Sequence, residues 1–307
     1  MSQPDKQDVR SVGIEASVSA MTAVVLGADG RVAAEHARAV DGGRTQVSQL
    51  VEFINSLPSH FGEFQRLGIA VPGLVRRTTR EVAYSAHIPE HSDLDLAGMI
   101  AAETGRSAVV ENDANAAAYG EFRLGAGRSS SNLFYATLGR GVGGAFIFNG
   151  NIWHGAAGFA GEFGYVAINS DGMRLEDVAS ADNIVRRTRN RFNRDSTSSL
   201  GSMDETSIGI DDIISAAGTG DDFARLMLER TGSYVGTAVA TVINLLNVET
   251  VVLGGPIMSA GEFVLEAVIR RSRELSFTPS FENTAIVAGT LGDNAAAIGS
   301  ALLAGEL

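Results

Sequence analysis

The stretch Val109-Val110-Glu111-Asn112-Asp113-Ala114-Asn115-Ala116-Ala117-Ala118 drives an apolar strand straight into a helix and leaves one carboxylate, Asp113, at the junction. A substrate hydroxyl can reach such a position, which makes Asp113 a candidate general base. Asp and Asn are also good helix caps, so the same side chain can simply satisfy the first free N–H groups of the helix. Further along, residues 132–137 read as a strand, and Leu138-Gly139-Arg140-Gly141-Val142-Gly143-Gly144 turns that strand into the next one. Glycines in a hairpin of this kind let backbone N–H groups approach a phosphate closely.

The surrounding pattern is α/β. Residues 12–15 and 20–26 are short apolar runs and 31–40 alternates like a half-exposed strand, with residues 28–31 as the turn, so three antiparallel strands come first. Val47, Leu50, Val51, Ile54 and Leu57 stand at helical spacing, and Pro58 ends that helix. An apolar strand over 67–71 stops at Pro72-Gly73; a helix over 95–104 has Gly105 just beyond it, and a strand over 107–110 leads to Asp113. The second half repeats the theme. A strand over 143–148 ends at the hairpin signal Asn149-Gly150, residues 190–208 read as a mobile polar loop, and helices are predicted over 212–217, 223–230 and 232–246. A strand over 250–253 runs into Gly254-Gly255-Pro256, followed by a helix over 261–275, a strand over 284–287 and a helix over 294–303. Two copies of an open sheet, with ligand loops at the strand ends, describe this order. The expected division is a smaller lobe of residues 1–117 with 294–307 and a larger lobe of 118–293, the break Gly292-Asp293 returning the last helix.

Composition narrows the partners. With 36 acidic against 24 basic residues the chain carries a net charge of −12, which argues against a nucleic-acid footprint and against an anionic membrane surface. It has no cysteine, hence no thiolate zinc site. Residues 1–10 are polar and lack the apolar core of a signal peptide, and the most apolar helix candidate is too short to span a bilayer, so a cytoplasmic location is expected.

Taken in order, Ala70-Val71-Pro72-Gly73, Glu111-Asn112-Asp113-Ala114-Asn115, the glycines 139–144, Gly161-Glu162-Phe163-Gly164 and Val252-Leu253-Gly254-Gly255-Pro256 resemble the ROK family of bacterial sugar kinases and sugar-responsive repressors, a branch of the actin and hexokinase-like ATPases. The resemblance implies a two-lobed, ribonuclease H-like fold with a ligand cleft between the lobes. It implies that Asp113 takes the proton from a sugar hydroxyl while the γ-phosphate of ATP is transferred, and a base of this kind contributes roughly 10²–10⁴ in rate. It further implies ATP contacts from Gly139, Arg140, Gly141, Gly143, Gly144, Gly254 and Gly255. Sugar contacts are implied from Gly73, His87, Asn112, Asp113, Glu162, Tyr165 and Glu176, and a homodimer through the larger lobe, for which Trp153, Phe159 and residues 232–246 supply apolar surface.

Several positions depart from the family pattern. Its first phosphate loop reads Asp-x-Gly-Gly-Thr, whereas this chain has Glu15-Ala16-Ser17-Val18-Ser19. Glu15 can still hold a hydrated Mg²⁺ and Ser19 keeps a hydroxyl. At Ser17 and Val18 a Cβ in a left-handed conformation costs about 1–2 kcal/mol. Arg140 replaces a Thr or Ser and either clamps a phosphate or fills its place and pairs with Glu15. Tyr165 replaces the family's His, and the zinc knuckle that fixes that His is replaced by the short run 168–176. His87 stands for a sugar-binding Asn, and is also readable as a structural histidine. Only about a dozen residues precede Glu15, leaving no room for the repressors' DNA-binding domain. Two readings follow: an ATP- and Mg²⁺-dependent kinase of a hexose or N-acetylated amino sugar, or a catalytically degenerate sugar-binding or regulatory relative.

Overall fold

The computed structural model describes residues 11–27, 29–191 and 197–306; the polar run 1–10, Ala28 of the first predicted turn and residues 192–196 of the predicted polar loop lie outside these. The chain divides into two compact units, Met1–Arg128 with Asn151–Ala160 and Asp293–Leu307, and Ser129–Gly150 with Gly161–Gly292.

The first unit opens with the antiparallel strands β1 (Ser11–Ala16), β2 (Ala20–Leu26) and β3 (Val32–Ala39). Helix α1 (Gln46–Ser56) buries Leu50, Phe53 and Ile54. Pro58 does end α1, but it also starts a further turn, α2 (Pro58–Phe61), because a proline at the first helical position gives up only an N–H that would be unpaired anyway. Strand β4 (Arg66–Val71) pairs parallel with β1. Pro72-Gly73 leads into a small hairpin, β5 (Leu74–Val75) and β6 (Val82–Tyr84), which sequence periodicity does not disclose. In α3 (Leu96–Thr104), Asp95 caps the start by accepting from Gly98 N at 2.8 Å, and Gly105 closes it at φ 69°. Strand β7 (Ser107–Asn112) then joins β4, giving the order β3-β2-β1-β4-β7, and α4 (Asp113–Arg123) follows directly.

The unit is completed by the C-terminal helix Ala295–Gly305, made almost entirely of small residues. It lies against β1, β4 and α4 at backbone distance. A Cβ on Gly13 would stand 1.9 Å from the Ala297 carbonyl oxygen, one on Gly68 1.8 Å from that of Ser300, and one on Gly299 1.7 Å from that of Ala116.

The second sheet runs β10-β9-β8-β11-β12, position for position the arrangement of the first. Strands β8 (Leu133–Leu138) and β9 (Val142–Phe148) are antiparallel, and the short β10 (Asn151–Ile152) continues their hairpin after Asn149 and Gly150, whose φ of 50° and 78° suit a two-residue turn. Helices α5 (Glu176–Ala179), α6 (Ala181–Arg189) and α7 (Ile210–Gly218) precede α8 (Asp222–Leu246). Strand β11 (Thr250–Gly254), helices α9 (Glu262–Leu275) and α10 (Thr278–Glu282), and strand β12 (Ala285–Ala288) complete the set, with β8, β11 and β12 parallel.

Three sequence expectations are corrected here. The two helices predicted over 223–230 and 232–246 are one 25-residue helix, α8, because Gly232 is a packing glycine: its Cβ would lie 2.5 Å from the Val264 carbonyl of α9. The described part of the predicted mobile loop is pinned. Asp221 accepts from the Ser198 and Ser199 hydroxyls and from Ser199 N at 2.6–2.8 Å, and also caps α8. Trp153 and Phe159 belong to the first unit rather than to the larger lobe. No helix of the described residues is long and apolar enough to cross a membrane.

Replacing Gly299 by Ala forces α4 and the C-terminal helix apart. Overpacking of this kind should cost about 1–3 kcal/mol or more, read as a lowered urea midpoint at unchanged slope.

Candidate active site

In the first unit the strand ends bring acids together. Glu15 near the end of β1 has its carboxyl raised from 4.5 to about 7, first by burial, then by the neighbouring charges of Asp113 and Asp293. Asp113 begins α4, but the cap is its neighbour. The Asn112 side-chain oxygen accepts from Asn115 N at 3.0 Å, while its Nδ2 donates to the Gly73 carbonyl at 3.0 Å and to Asp113 Oδ1 at 3.1 Å. That same Oδ1 accepts from Ala114 N at 2.8 Å. One amide therefore caps the helix, holds the Pro72-Gly73 turn and orients the carboxylate. The capping offered as the alternative role of Asp113 is shared: Asn112 is the cap, and Asp113 accepts from Ala114 N.

The hairpin between β1 and β2 does not carry the strain expected of it. Among the described residues other than glycine, only Arg80, Asp93, Asn149 and Asn247 have positive φ, so neither Ser17 nor Val18 is left-handed. Ser17 closes the turn itself, its hydroxyl donating to the Ala20 carbonyl at 2.9 Å and accepting from Ala20 N at 3.2 Å. Ser19 is exposed at the tip.

Behind Asp113 lies a network that motif reading passed over. Glu111 is buried, and burial works against its charge. Hydrogen bonds from His154 Nε2 at 2.7 Å, Asn115 Nδ2 at 3.0 Å and Asn112 N at 2.9 Å nevertheless hold its carboxyl below the ordinary value. Arg80 approaches to 3.9 Å. His154 lies on the segment 151–160, which is also held by Arg77 N donating to the Ala157 carbonyl at 3.1 Å. Asp293, too, was read only as part of a break, since nothing in sequence links it to Glu15. His87 is exposed on the rim of a cavity with Val18 and residues 41–46.

In the second unit the Gly139–Gly144 turn joins β8 to β9, closed by Gly139 N donating to the Gly141 carbonyl at 3.0 Å, with Arg140 exposed at its tip. Gly254 and Gly255 pack beside it. A Cβ on Gly254 would lie 2.2 Å from the Tyr135 hydroxyl, and Gly255, at φ 88°, approaches Leu138. These glycines therefore serve packing as well as any ligand. Glu162 and Glu176 are brought together: the Glu162 carboxyl is raised by burial and then by the Glu176 charge. Glu176 Oε2 accepts from Val142 N of the turn at 2.9 Å. Tyr165 is exposed, with the Arg174 guanidinium 4.4 Å above its ring. Where the family carries its zinc knuckle, residues 166–175 form a narrow hairpin closed by Ile168 N to Met173 O and Leu175 N to Val166 O, both 2.9 Å.

The ROK family model matches residues 11–306. A glucokinase of Halalkalibacterium halodurans is 32% identical over 77% of this chain and 75% of its own. The xylose repressor of Bacillus subtilis is 23% identical over 94% of this chain and 75% of its own. The crystal structure of a ROK family glucokinase from Streptomyces griseus with glucose and AMPPNP superposes with a TM-score of 0.86 at 26% identity, covering 97% of this chain and all of that one. The chain belongs to the ROK family and has its two-lobed, actin-like α/β fold.

A carboxyl raised from 4.5 to about 7 makes the folded unit bind a proton that the unfolded chain has released, so its charged form costs stability as pH rises between these values. Glu15→Gln should stabilise the protein at pH 8, by on the order of 1–3 kcal/mol, with the difference vanishing below pH 4.5. Equal melting shifts at both pH values would refute this.

Proposed function

We propose that this ROK protein is a sugar kinase, transferring the γ-phosphoryl group of ATP to a hydroxyl of a hexose or N-acetylated amino sugar in the cytoplasm. The observation that carries the reading is the ROK match over residues 11–306, beside which Glu15 stands near two further acids, its carboxyl raised to about 7 first by burial and then by the charges of Asp113 and Asp293. A hard divalent cation suits such a donor set and relieves its repulsion. Glu15 and Asp293 are the residues to hold a hydrated Mg²⁺, and that ion, when bound, neutralises charge on the phosphates.

Asp113 accepts the hydroxyl proton as the sugar oxygen bonds to phosphorus and ADP departs. The Asn112 amide fixes one of its oxygens. Glu162 and Glu176 accept hydrogen bonds from sugar hydroxyls, with Gly73, Asn112, His87 and Tyr165 as further contacts. The backbone of residues 139–144 faces the phosphates, Arg140 adds a charge, Ser19 a hydroxyl, and Gly254-Gly255 border the nucleoside. The unstrained hairpin at Ser17 and Val18 supports this reading, since it removes the conformational objection to a working loop.

A sugar-sensing role is favoured by one observation: the Ser17 hydroxyl is committed to its own turn and does not offer a free donor to a phosphate. Calorimetric titration separates the two readings. Binding of both Mg-ATP and a sugar supports the kinase, and sugar alone supports the sensor.

Phosphorylation of glucose or N-acetylglucosamine, followed by ADP release, should fall about 10²–10⁴-fold in Asp113→Asn with sugar affinity largely kept. Turnover unaffected by that change would overturn the assignment of the base. Arg140→Thr should weaken ATP binding about tenfold if the guanidinium pairs with phosphate; tighter binding would mean that Arg140 occupies the phosphate position. We also propose a homodimer through the second unit, where Leu245, Leu246 and Phe277 are exposed. Light scattering that returns a monomer at micromolar concentration refutes it.

A further inference from the structure

Arg187, in α6 of the second unit, is half-buried against α8. Its Nη2 donates to the Thr231 hydroxyl at 2.7 Å, and that hydroxyl donates onward to the Met227 carbonyl at 2.9 Å. The guanidinium carbon lies 5.4 Å above the Tyr234 ring. The two remaining nitrogens, Nε and Nη1, are buried without a hydrogen-bond partner. A buried charge is ordinarily paired.

The surroundings add cations instead of an acid. Among the described residues no carboxylate forms an ion pair with Arg186, Arg187, Arg191 or Arg230, although Asp182 and Glu229 stand on the same two helices. Burial pushes the Arg187 guanidinium down to about 10; Tyr234 opposes the fall, and the charges of Arg191, Arg230 and Arg186 add to it. This gathering of like charge stands in a chain whose net charge is −12.

Two of the neighbouring arginines have work of their own. Arg189 donates to the Thr206 and Ile208 carbonyls, and Arg186 to Asn183 Oδ1 and the Asp177 carbonyl. The Arg191 and Arg230 side chains are exposed and are left for a ligand that approaches from solvent. Guanidinium donors arriving from two helices suit a group with several acceptor oxygens on one centre. A phosphoryl group, with a charge of about −1.5 to −2 at neutral pH, balances the cluster better than a single carboxylate does.

We infer that Arg187, Arg191 and Arg230 form a binding site for a phosphoryl group, free or carried on a small molecule. The turn 139–144 is a different place: Ala181 N, at the start of α6, donates to the Gly139 carbonyl, and Arg187 lies about 9 Å further along that helix. The inference stands whether or not the chain is a kinase.

Calorimetric titration of the full chain with inorganic phosphate and with glucose 6-phosphate tests it, against sodium chloride at matched ionic strength. Phosphate should bind saturably; tighter binding of glucose 6-phosphate assigns the site to a phosphorylated sugar, and equal binding assigns it to the free ion. Changing Arg191→Ser and Arg230→Ser together, at exposed positions, should weaken binding about tenfold or more. Arg187→Met should abolish it. Without phosphate that variant should also melt at a higher temperature, because an apolar chain replaces an unpaired buried charge. A fall in melting temperature would show that contacts inside the chain already satisfy Arg187, and would overturn the inference. Phosphate binding that survives in both variants belongs elsewhere on the chain and refutes the site. Heat no different from that of chloride refutes it too, as does a dimer that the double variant dissociates, which would make a carboxylate of a second copy the partner.

Discussion

The first unit depends on a helix lying against a sheet with no side chains between them. Gly13 and Gly68 sit on neighbouring strands, and the carbonyls of Ala297 and Ser300 occupy the space where their Cβ atoms would be. Gly299 repeats the device on the other face of the helix, against α4. The Ser300 hydroxyl adds a bond to the Ile14 carbonyl at 3.3 Å. Packing at backbone distance goes with Ala, Gly or Ser at all positions of this helix but Ile298, Leu302 and Leu303. It also sets the electrostatics: because the helix crosses β1 so closely, Asp293 at its approach bears on Glu15, nearly three hundred residues earlier in the chain.

Two buried carboxylates in this unit show how surroundings choose between site and scaffold. Burial penalises the charge of both Glu15 and Glu111. Glu111 meets three donors and stays ionised as a structural anchor; Glu15 meets two more carboxylates and is left with charge to share. The difference lies in neighbours, not in residue type. It leaves the Glu15 carboxyl raised where that of Glu111 is held below its ordinary value.

Most strands were legible in the sequence, because apolar runs bounded by Gly, Pro and Asn carry a local signal that tertiary packing does not overrule. Asp95, Gly105 and Asn149-Gly150 marked their element ends correctly for the same reason: caps and tight turns are decided within four residues. What was not legible depended on distant contacts. The helix was split between residues 230 and 232, whereas in the fold it runs on through Gly232, whose missing side chain gives α9 its space. The expected left-handed strain at Ser17 and Val18 came from a family pattern in which glycines stand there, and a hairpin built with side chains adopts other torsions. Asn112, Asp113, Glu162 and Glu176 stood out from their motifs as candidates. Asp293 and the pairing of Glu111 with His154 did not, since only the folded chain brings residues 15 and 293, or 111 and 154, together.

The Asn151–Ala160 segment has a consequence for how the molecule is made. Its ends continue into the second unit on both sides, and the first unit also needs the final residues from Asp293 onward. Neither unit is an uninterrupted piece of the gene. As the polypeptide leaves the ribosome, β1 to α4 emerge with a glycine-lined surface that stays uncovered until the helix Ala295–Gly305 has been made. The nascent chain must keep that surface from others while residues 124–294 are made. A fragment cut at Arg128 would lack both the Asn151–Ala160 segment and the helix that covers the glycines.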